Sequence, residues 1–328
     1  MSRRGATAQT ADPLRRGDQA ARTRRGPPPG LDASKPPLLE VAEILAVSPI
    51  LALARALPFR AGVGVAGAVG RIAYLLNSSW RRTALDNLDI AFGGALTRRQ
   101  AEEVCRIAFV SFFTTIGELV ALAGRPTELL ARTECDGWEN LEAAAREGRG
   151  VIACSTHLAN WYWPAMYGAA RGVSARVVVE PLVNRRLDRR MTRTLIRHGI
   201  TPIPRIGGAL RSPAEALRGG QVVGLMIDHD SGSRRRVPFF GVPAFTARGV
   251  AVYRRMTGCA VICVHDIRMG DRHRVVVSPP MDLPDDELEA LARINRYFED
   301  VVRRYPGSYF WMQSRWRPRR EAGQTISA

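Results

Sequence analysis

Residues Val151–Trp163, VIACSTHLANWYW, carry the clearest indication of the fold. The stretch opens with small and β-branched apolar residues, a pattern typical of a strand buried in a sheet. The strand delivers Ser155, Thr156 and His157 to its C-terminal end, and Asn160 follows where a helix can begin. Ligands of open α/β sheets bind beyond the carboxyl ends of the strands, so we expect the functional site at this edge.

His157 is the first candidate for chemistry, because an imidazole titrates near neutral pH and can act as a general base. The alternative is a histidine that only packs against its neighbours or caps a helix. Asn160 also allows two roles: a helix N-cap, or a group that orients the site and stabilises charge.

Strands and helices alternate along the rest of the chain. Strands are predicted at residues 150–155, 175–179, 201–204, 221–228, 260–265 and 274–277. Helices are predicted at residues 97–124, 160–171, 189–198, 212–218, 248–256 and 285–305, the first of them with a capping box at its start. This order is typical of an α/β sandwich, so we expect a mixed, largely parallel sheet flanked by helices.

Composition limits the classes of partner. The chain has a formal net charge of +17 and 46% hydrophobic residues, which is enough for a large core and excludes wholesale disorder. So basic a surface attracts anionic lipid, acidic carriers or nucleic acid. No zinc finger, RNA-stacking motif or basic zipper is found, so we expect no nucleic-acid partner. No metal-ligand spacing is found either, and neither a metal nor another cofactor is predicted.

The N-terminal part divides in two. Residues 1–37 are rich in Arg, Pro and Gly and are expected to form a disordered basic tail. Residues 38–76 are strongly apolar, but the uncharged run at 44–54 is shorter than the roughly 20 residues of a membrane span. We expect helices that dock in the bilayer interface, with ordinary core helices as the alternative. The catalytic domain is expected over 38–320, and a flexible tail over 321–328.

The segment His157–Trp161, His-Leu-Ala-Asn-Trp, resembles the signature of the bacterial lipid A biosynthesis acyltransferases, a branch of the lysophospholipid acyltransferase superfamily. That signature is His, an apolar residue, Gly, Asn, Trp and then an acid. Here Ala159 replaces the glycine, Tyr162 stands at the acid, and Gln313 stands where a later motif has His. Other similar stretches follow in the family's order at residues 80–88, 228–230, 237–244, 257–261 and 310–316.

The resemblance implies an O-acyltransferase that uses an acyl thioester, on acyl carrier protein or coenzyme A. The implied acyl acceptor is a hydroxyl of a lipid A precursor or a related phospho-glycolipid or lysolipid. It implies the cytoplasmic face of the cell inner membrane and contact with an anionic membrane surface. A phosphatidylinositol mannoside-type acyltransferase is an alternative, and so is a catalytically degenerate membrane-binding member of the same fold.

The missing acid draws attention to other carboxylates. A base such as His157 works best with a carboxylate partner, and Tyr162 is neutral at pH 7. Asp228, Asp230 and Glu180 each lie at the end of a predicted strand and are the candidates for a relocated partner. The alternative is a degenerate site without catalysis.

Substrate contacts are predicted around the apolar loop Phe239–Gly241, beside a run of arginines. The loop can bracket the acyl acceptor's phosphate or guide the acyl chain, and arginines can hold phosphate by bidentate hydrogen bonds. The alternative is a core turn next to solvated charges. The substrate-binding candidates are Asn160, Tyr162, Arg236, Phe239, Phe240, Gly241 and Arg315.

Overall fold

The computed structural model describes residues 48–49, 51–205, 211–228 and 236–316. The expected tails at 1–37 and 321–328 lie outside these residues. So does Asp230, one of the three candidate carboxylates.

The described strands are β1 Thr133–Asp136, β2 Val151–Ser155, β3 Ala175–Val179, β4 Thr201–Pro204, β5 Val222–Met226, β6 Arg236–Phe239, β7 Val242–Phe245, β8 Ala260–Met269 and β9 Arg272–Val277. A seven-stranded sheet has the order β1-β9-β8-β2-β5-β3-β4, and β6 and β7 form a separate antiparallel hairpin. Within the large sheet only β8 and β9 pair antiparallel. The predicted mixed, largely parallel sheet is confirmed.

The described helices are α1 Phe59–Leu76, α2 Ser78–Phe92, α3 Arg98–Ala121, α4 Pro126–Ala131, α5 Trp138–Arg146, α6 Trp163–Ala170, α7 Arg185–Arg197, α8 Arg211–Arg218, α9 Gly249–Thr257 and α10 Glu287–Arg304. The capping box predicted for α3 is present, with Thr97 and Gln100 exchanging hydrogen bonds. The strand predicted at 260–265 continues to Met269. The prediction ended early because Asp266 and Arg268 interrupt the apolar pattern. In the structure these two side chains bind the buried partners His273 and Glu118, so the strand can continue.

The core lies on both faces of the sheet, as alternation along β2 shows. Ile152 and Cys154 pack into one apolar cluster with Trp311 and Phe298, while Val151 packs into another. A strand covered on both faces has to be apolar throughout, which explains the uninterrupted run that predicted it.

Two helices, α1 and α3, are long and apolar enough to cross a membrane by length and composition. They pack closely against each other, since a Cβ at Gly70 would lie 2.8 Å from the backbone of Val110. In α3, 56% of its most apolar window is buried, against 28% in α1. Helix α3 is therefore largely a core helix, whereas α1 presents an exposed apolar face to solvent.

Candidate active site

Two neighbouring parallel strands bring His157 and Asp228 together. Ser155 at the end of β2 is in register with Met226 at the end of β5, and the amide of Ile227 donates to the Ser155 carbonyl at 3.1 Å. The next residues of each chain segment therefore meet at the carboxyl edge of the sheet.

The Asp228 carboxylate is buried and accepts several hydrogen bonds. The Nδ1 atom of His157 lies 2.8 Å from its Oδ1. The Thr156 hydroxyl and the backbone N–H of His157 donate to Oδ2 at 2.6 and 2.9 Å. The side-chain Nε2 of Gln313 donates to the same atom at 3.3 Å. Burial by itself raises the pKa of the Asp228 carboxyl, but the charge and hydrogen bond of His157, with Arg315 and Thr156, hold it well below its usual range.

This pairing orients the imidazole. An ionised carboxylate can only accept hydrogen bonds, so the Nδ1 of His157 carries the proton shared with Asp228. Nε2 is then the nitrogen with the basic lone pair. The His157 side chain is 20% exposed, so the ring is sheltered but reachable.

Aromatic rings surround the imidazole on the side of α3. The ring centroids of Trp161 and Phe310 lie 5.0 and 6.1 Å from that of His157. Phe112 of α3 stacks on Phe310 at 4.8 Å, and Trp80 of α2 packs edge-on against Phe112. These rings make an apolar wall that limits the access of water to the base.

The chain after the histidine is bound to the segment 308–310. The Phe310 amide donates to the His157 carbonyl at 2.9 Å, and the Ala159 amide donates to the Ser308 carbonyl at 2.8 Å. Ala159 has a φ of 47°, in the left-handed region that favours glycine. Glycine, the usual residue of the resembling signature at this position, is therefore the residue that this backbone favours.

Asn160 lies inside the protein. No part of it is exposed. Its side-chain Nδ2 donates to Glu118 Oε2 at 2.9 Å, and its Oδ1 accepts from the backbone N–H of Tyr162 at 3.1 Å. In this arrangement the Asn160 side chain connects helix α3 to the turn at Tyr162, and its predicted role toward substrate stays a prediction. Tyr162 is half-buried, and burial raises the pKa of its hydroxyl, so that it stays neutral.

The other predicted residues are spread over the molecule. Glu180 is exposed and pairs with Arg205 at 3.0 Å. Arg236 is exposed on β6, with its guanidinium over the Phe245 ring. Among the carboxylates that the structure describes, Asp228 is the one with a hydrogen bond to the imidazole.

The Phe239–Gly241 stretch forms the turn of the β6–β7 hairpin. Phe239 is 1% exposed and Phe240 is 7% exposed, and both pack into the core. The loop therefore has the packing of a core turn, and its contacts with substrate stay a prediction. Arg315 is also buried: it stacks on Phe239 and donates to the Ile227 carbonyl at 3.3 Å. Its positive charge helps to lower the pKa of the Asp228 carboxyl, and the predicted phosphate contact of Arg315 stays a prediction.

A group of polar residues behind the site was missed by sequence reasoning. They are Glu118, Asp266, Arg268 and His273. The first three are charges among apolar residues of α3 and β8, whereas His273 lies between two arginines of β9 and gives no such signal. Within the described part of the chain, no three His, Cys, Asp or Glu side chains are grouped to hold a metal ion.

Comparison with known proteins assigns this arrangement to a family. The model of the bacterial lipid A biosynthesis acyltransferase family matches residues 37–318. The chain belongs to this family. The match spans all the described elements, including the two strand ends that carry His157 and Asp228.

Individual relatives are more distant. The chain is 28% identical over 194 residues to the lipid A biosynthesis palmitoleoyltransferase of Escherichia coli (strain K12), which covers 57% of this chain and 62% of that protein. It is 26% identical over 277 residues to the lipid A biosynthesis lauroyltransferase of the same strain, covering 80% and 86%. The alignment to the palmitoleoyltransferase thus spans less than two thirds of that protein's length.

Proposed function

We propose that this protein transfers a fatty acyl group from a thioester to a hydroxyl of a lipid A precursor. The observation that carries the proposal is the His157–Asp228 pair at the carboxyl edge of the sheet. An ionised carboxylate fixes the imidazole tautomer and stabilises the imidazolium that forms during base catalysis. Family membership supplies the reaction class, since the relatives are named as lipid A acyltransferases.

The reaction needs no enzyme nucleophile. Nε2 of His157 takes the proton of the acceptor's hydroxyl group. The hydroxyl oxygen then bonds to the carbonyl carbon of the thioester and gives a tetrahedral oxyanion. Collapse of this intermediate breaks the carbon–sulfur bond and leaves the ester. The imidazolium returns its proton to the departing sulfur, so that one ester and one thiol are formed from one hydroxyl and one thioester.

Asp228 can supply the carboxylate partner of the imidazole that Tyr162, a neutral residue, cannot supply. A buried, ionised carboxylate 2.8 Å from Nδ1 supplies the negative charge that a tyrosine at the acid position lacks. This geometry supports an active enzyme over a degenerate membrane-binding protein. Burying a charge costs free energy of desolvation, and a protein without catalysis would gain nothing from that cost.

Membrane contact is part of the proposal. Ile72, Leu75 and Leu76 of α1 are 55%, 69% and 80% exposed, and an exposed apolar patch of this kind suits insertion into a bilayer interface. Helix α7 carries arginines at every fourth position, residues 185, 189, 193 and 197, which suits anionic headgroups. We infer one acyltransferase domain over residues 38–320 that docks on the cytoplasmic face of the inner membrane through residues 38–76.

The test is acyl transfer by the purified full chain in mixed micelles with a lipid A precursor. Acyl carrier protein and coenzyme A thioesters are supplied in separate reactions, and free thiol and acylated lipid are measured together. We expect thiol release with one donor to depend on the lipid. Release without lipid would indicate a thioesterase, and no release with either donor would contradict the proposal.

The identity of the acyl acceptor is tested in parallel. A phosphatidylinositol mannoside replaces the lipid A precursor in matched micelles. Acylation of the mannoside alone would move the protein to the alternative acyl acceptor class, whereas acylation of the lipid A precursor alone supports the present one.

A further inference from the structure

Four charged side chains, Glu118, Asp266, Arg268 and His273, form a cluster behind the active site. Arg268 donates to both oxygens of Glu118, at 2.8 and 2.9 Å. Nδ1 of His273 lies 2.9 Å from both oxygens of Asp266, and its Nε2 lies 3.3 Å from Glu118 Oε1. Glu118, Asp266 and His273 have no exposed surface. The ring of Trp163 stacks on His273 at 3.5 Å and closes the cluster.

Charge balance explains how such a cluster can be buried. Burial by itself raises the pKa of Glu118, but Arg268 and His273 outweigh it and hold the pKa at about 2. Burial lowers the pKa of His273, but Asp266 and Glu118 outweigh it and raise the pKa to about 9. A buried ion cluster is nonetheless weak evidence for stability, because desolvation offsets most of the attraction. What the cluster holds in place is therefore more informative.

The cluster is hydrogen-bonded to the peptide unit between Ala159 and Asn160, in the loop that follows His157. The carbonyl of Ala159 accepts from the Thr115 hydroxyl at 2.7 Å, and the amide of Asn160 donates to Asp266 Oδ2 at 3.0 Å. These two groups belong to the same peptide plane. Arg268 donates to the Thr115 hydroxyl at 3.0 Å, so both ends of the plane are tied to the cluster.

The side chain of Asn160 adds a third tie. Its amide donates to Glu118 Oε2 at 2.9 Å while its Oδ1 accepts from the Tyr162 amide at 3.1 Å. A peptide held at both ends cannot rotate, which explains how Ala159 keeps a φ of 47° that costs an ordinary residue about 1 kcal/mol or more.

We propose that Glu118, Asp266, Arg268 and His273 are positioning residues for the base. They fix the Ala159–Asn160 peptide and thereby the direction in which His157, two residues earlier, presents its imidazole. The kinetic part of this inference rests on the proposed acyl transfer. The structural part, which is the orientation of the imidazole against Asp228, does not depend on that reaction.

The sharpest test changes Thr115, because valine has nearly the shape of threonine and lacks only the hydroxyl that binds the Ala159 carbonyl. We expect Thr115→Val to lower kcat about tenfold or more with KM changed less than about twofold, since a small misplacement of a catalytic group costs rate rather than binding. Thr115→Ser keeps the hydroxyl and should retain a kcat near that of the wild type.

A matched control separates positioning from general destabilisation. Leu291→Ala opens a cavity under α10, at a side chain with no exposed surface and none of the cluster's hydrogen bonds. We expect it to lower the melting temperature at least as much as Thr115→Val while leaving kcat unchanged. An equal loss of kcat in Leu291→Ala and Thr115→Val would overturn the proposal.

A spectroscopic readout separates this inference from the proposed function. The proton that His157 Nδ1 shares with Asp228 should give a downfield NMR signal, assigned by its absence in His157→Gln. We expect Thr115→Val to shift or broaden this signal, and Leu291→Ala and Thr115→Ser to leave it in place. If the wild type turns over no thioester, the proposed function fails and this signal alone decides. An unchanged signal in Thr115→Val would refute positioning.

Discussion

The Nδ1 atom of His157 lies 2.8 Å from Oδ1 of Asp228, across the boundary between two parallel strands. His157 follows β2 and Asp228 follows β5, so the two side chains come from different strands and lie 71 residues apart in the chain. The carboxylate that contacts Nδ1 therefore does not come from the position five residues after the histidine, where Tyr162 stands.

Removing either member of the pair should abolish most of the activity. We expect His157→Ala and Asp228→Asn each to lower kcat about a hundredfold or more, the usual size of a general-base contribution. Glu180→Gln is the matched control, because that carboxylate is exposed and pairs with Arg205. Steady-state kinetics at saturating lipid measure the effect. A wild-type kcat in Asp228→Asn, with loss in Glu180→Gln, would reverse the assignment of the acid.

Restoring the family's acid should not improve the enzyme. In Tyr162→Glu the new carboxylate would lie against the apolar cluster that contains Val151 and Trp163, while Asp228 already binds Nδ1 of the imidazole. We expect no gain in kcat, and a lower melting temperature because the half-buried site desolvates the new charge. Tyr162→Phe keeps the ring and should behave like the wild type. A tenfold gain in Tyr162→Glu would show that the natural site is degenerate.

The position of His157 at the end of a strand was predictable from local pattern, while the carboxylate beside it was not. A β-branched apolar run followed by His157 and a helix is visible in a short window of sequence. The pairing of β2 with β5, which selects Asp228 over Glu180, is a tertiary choice, so the sequence alone left the carboxylates open.

The burial of Phe239 and Phe240 could not be predicted from the sequence. Phe239 and Phe240 are apolar residues beside arginines, a composition shared by core turns and by lipid-binding loops. Only packing against Trp311 and Trp316 separates the two, and that packing joins segments far apart in the chain. The buried cluster was missed because single charges in α3 and β8 have the same sequence signature as solvent-facing ones.

Ala159 offers a test of the strained turn. A β-branched residue is strongly disfavoured at a φ of 47°, whereas glycine adopts this conformation freely. We expect Ala159→Gly to keep a kcat near that of the wild type and Ala159→Val to lose most of it. Kinetics and circular dichroism measure both. Full activity in Ala159→Val would show that the turn is free to adopt another conformation.

Stability should fall as pH rises past neutrality because of His273. Its pKa in the folded protein is raised to about 9, so its contribution is fully present below the ordinary value of 6.5 and is lost as pH rises through 9. The shift corresponds to at most about 3 kcal/mol. Buried thiols such as Cys105, whose pKa is raised to about 12, act in the same direction at higher pH.

The variant His273→Gln isolates this contribution. Urea unfolding from pH 6 to 9.5 gives the free energy of unfolding of both proteins. We expect the difference between wild type and variant to shrink steadily between pH 6.5 and 9, while the contribution of the thiols cancels. A difference that stays constant over this range would show that His273 is neutral in the folded protein.

Membrane binding should depend on the apolar face of α1 more than on the basic tail. Leu75 and Leu76 are 69% and 80% exposed, and we expect Leu75→Glu with Leu76→Glu to weaken binding to anionic vesicles about tenfold or more at every salt concentration. Leu288→Glu changes another exposed leucine, on α10, and is expected to have no effect. Deleting residues 1–37 removes only screened surface charge and should weaken binding mainly at low salt. Vesicle sedimentation across a salt series measures all three. A tail deletion that releases the protein at every salt concentration would show that α1 does not anchor it.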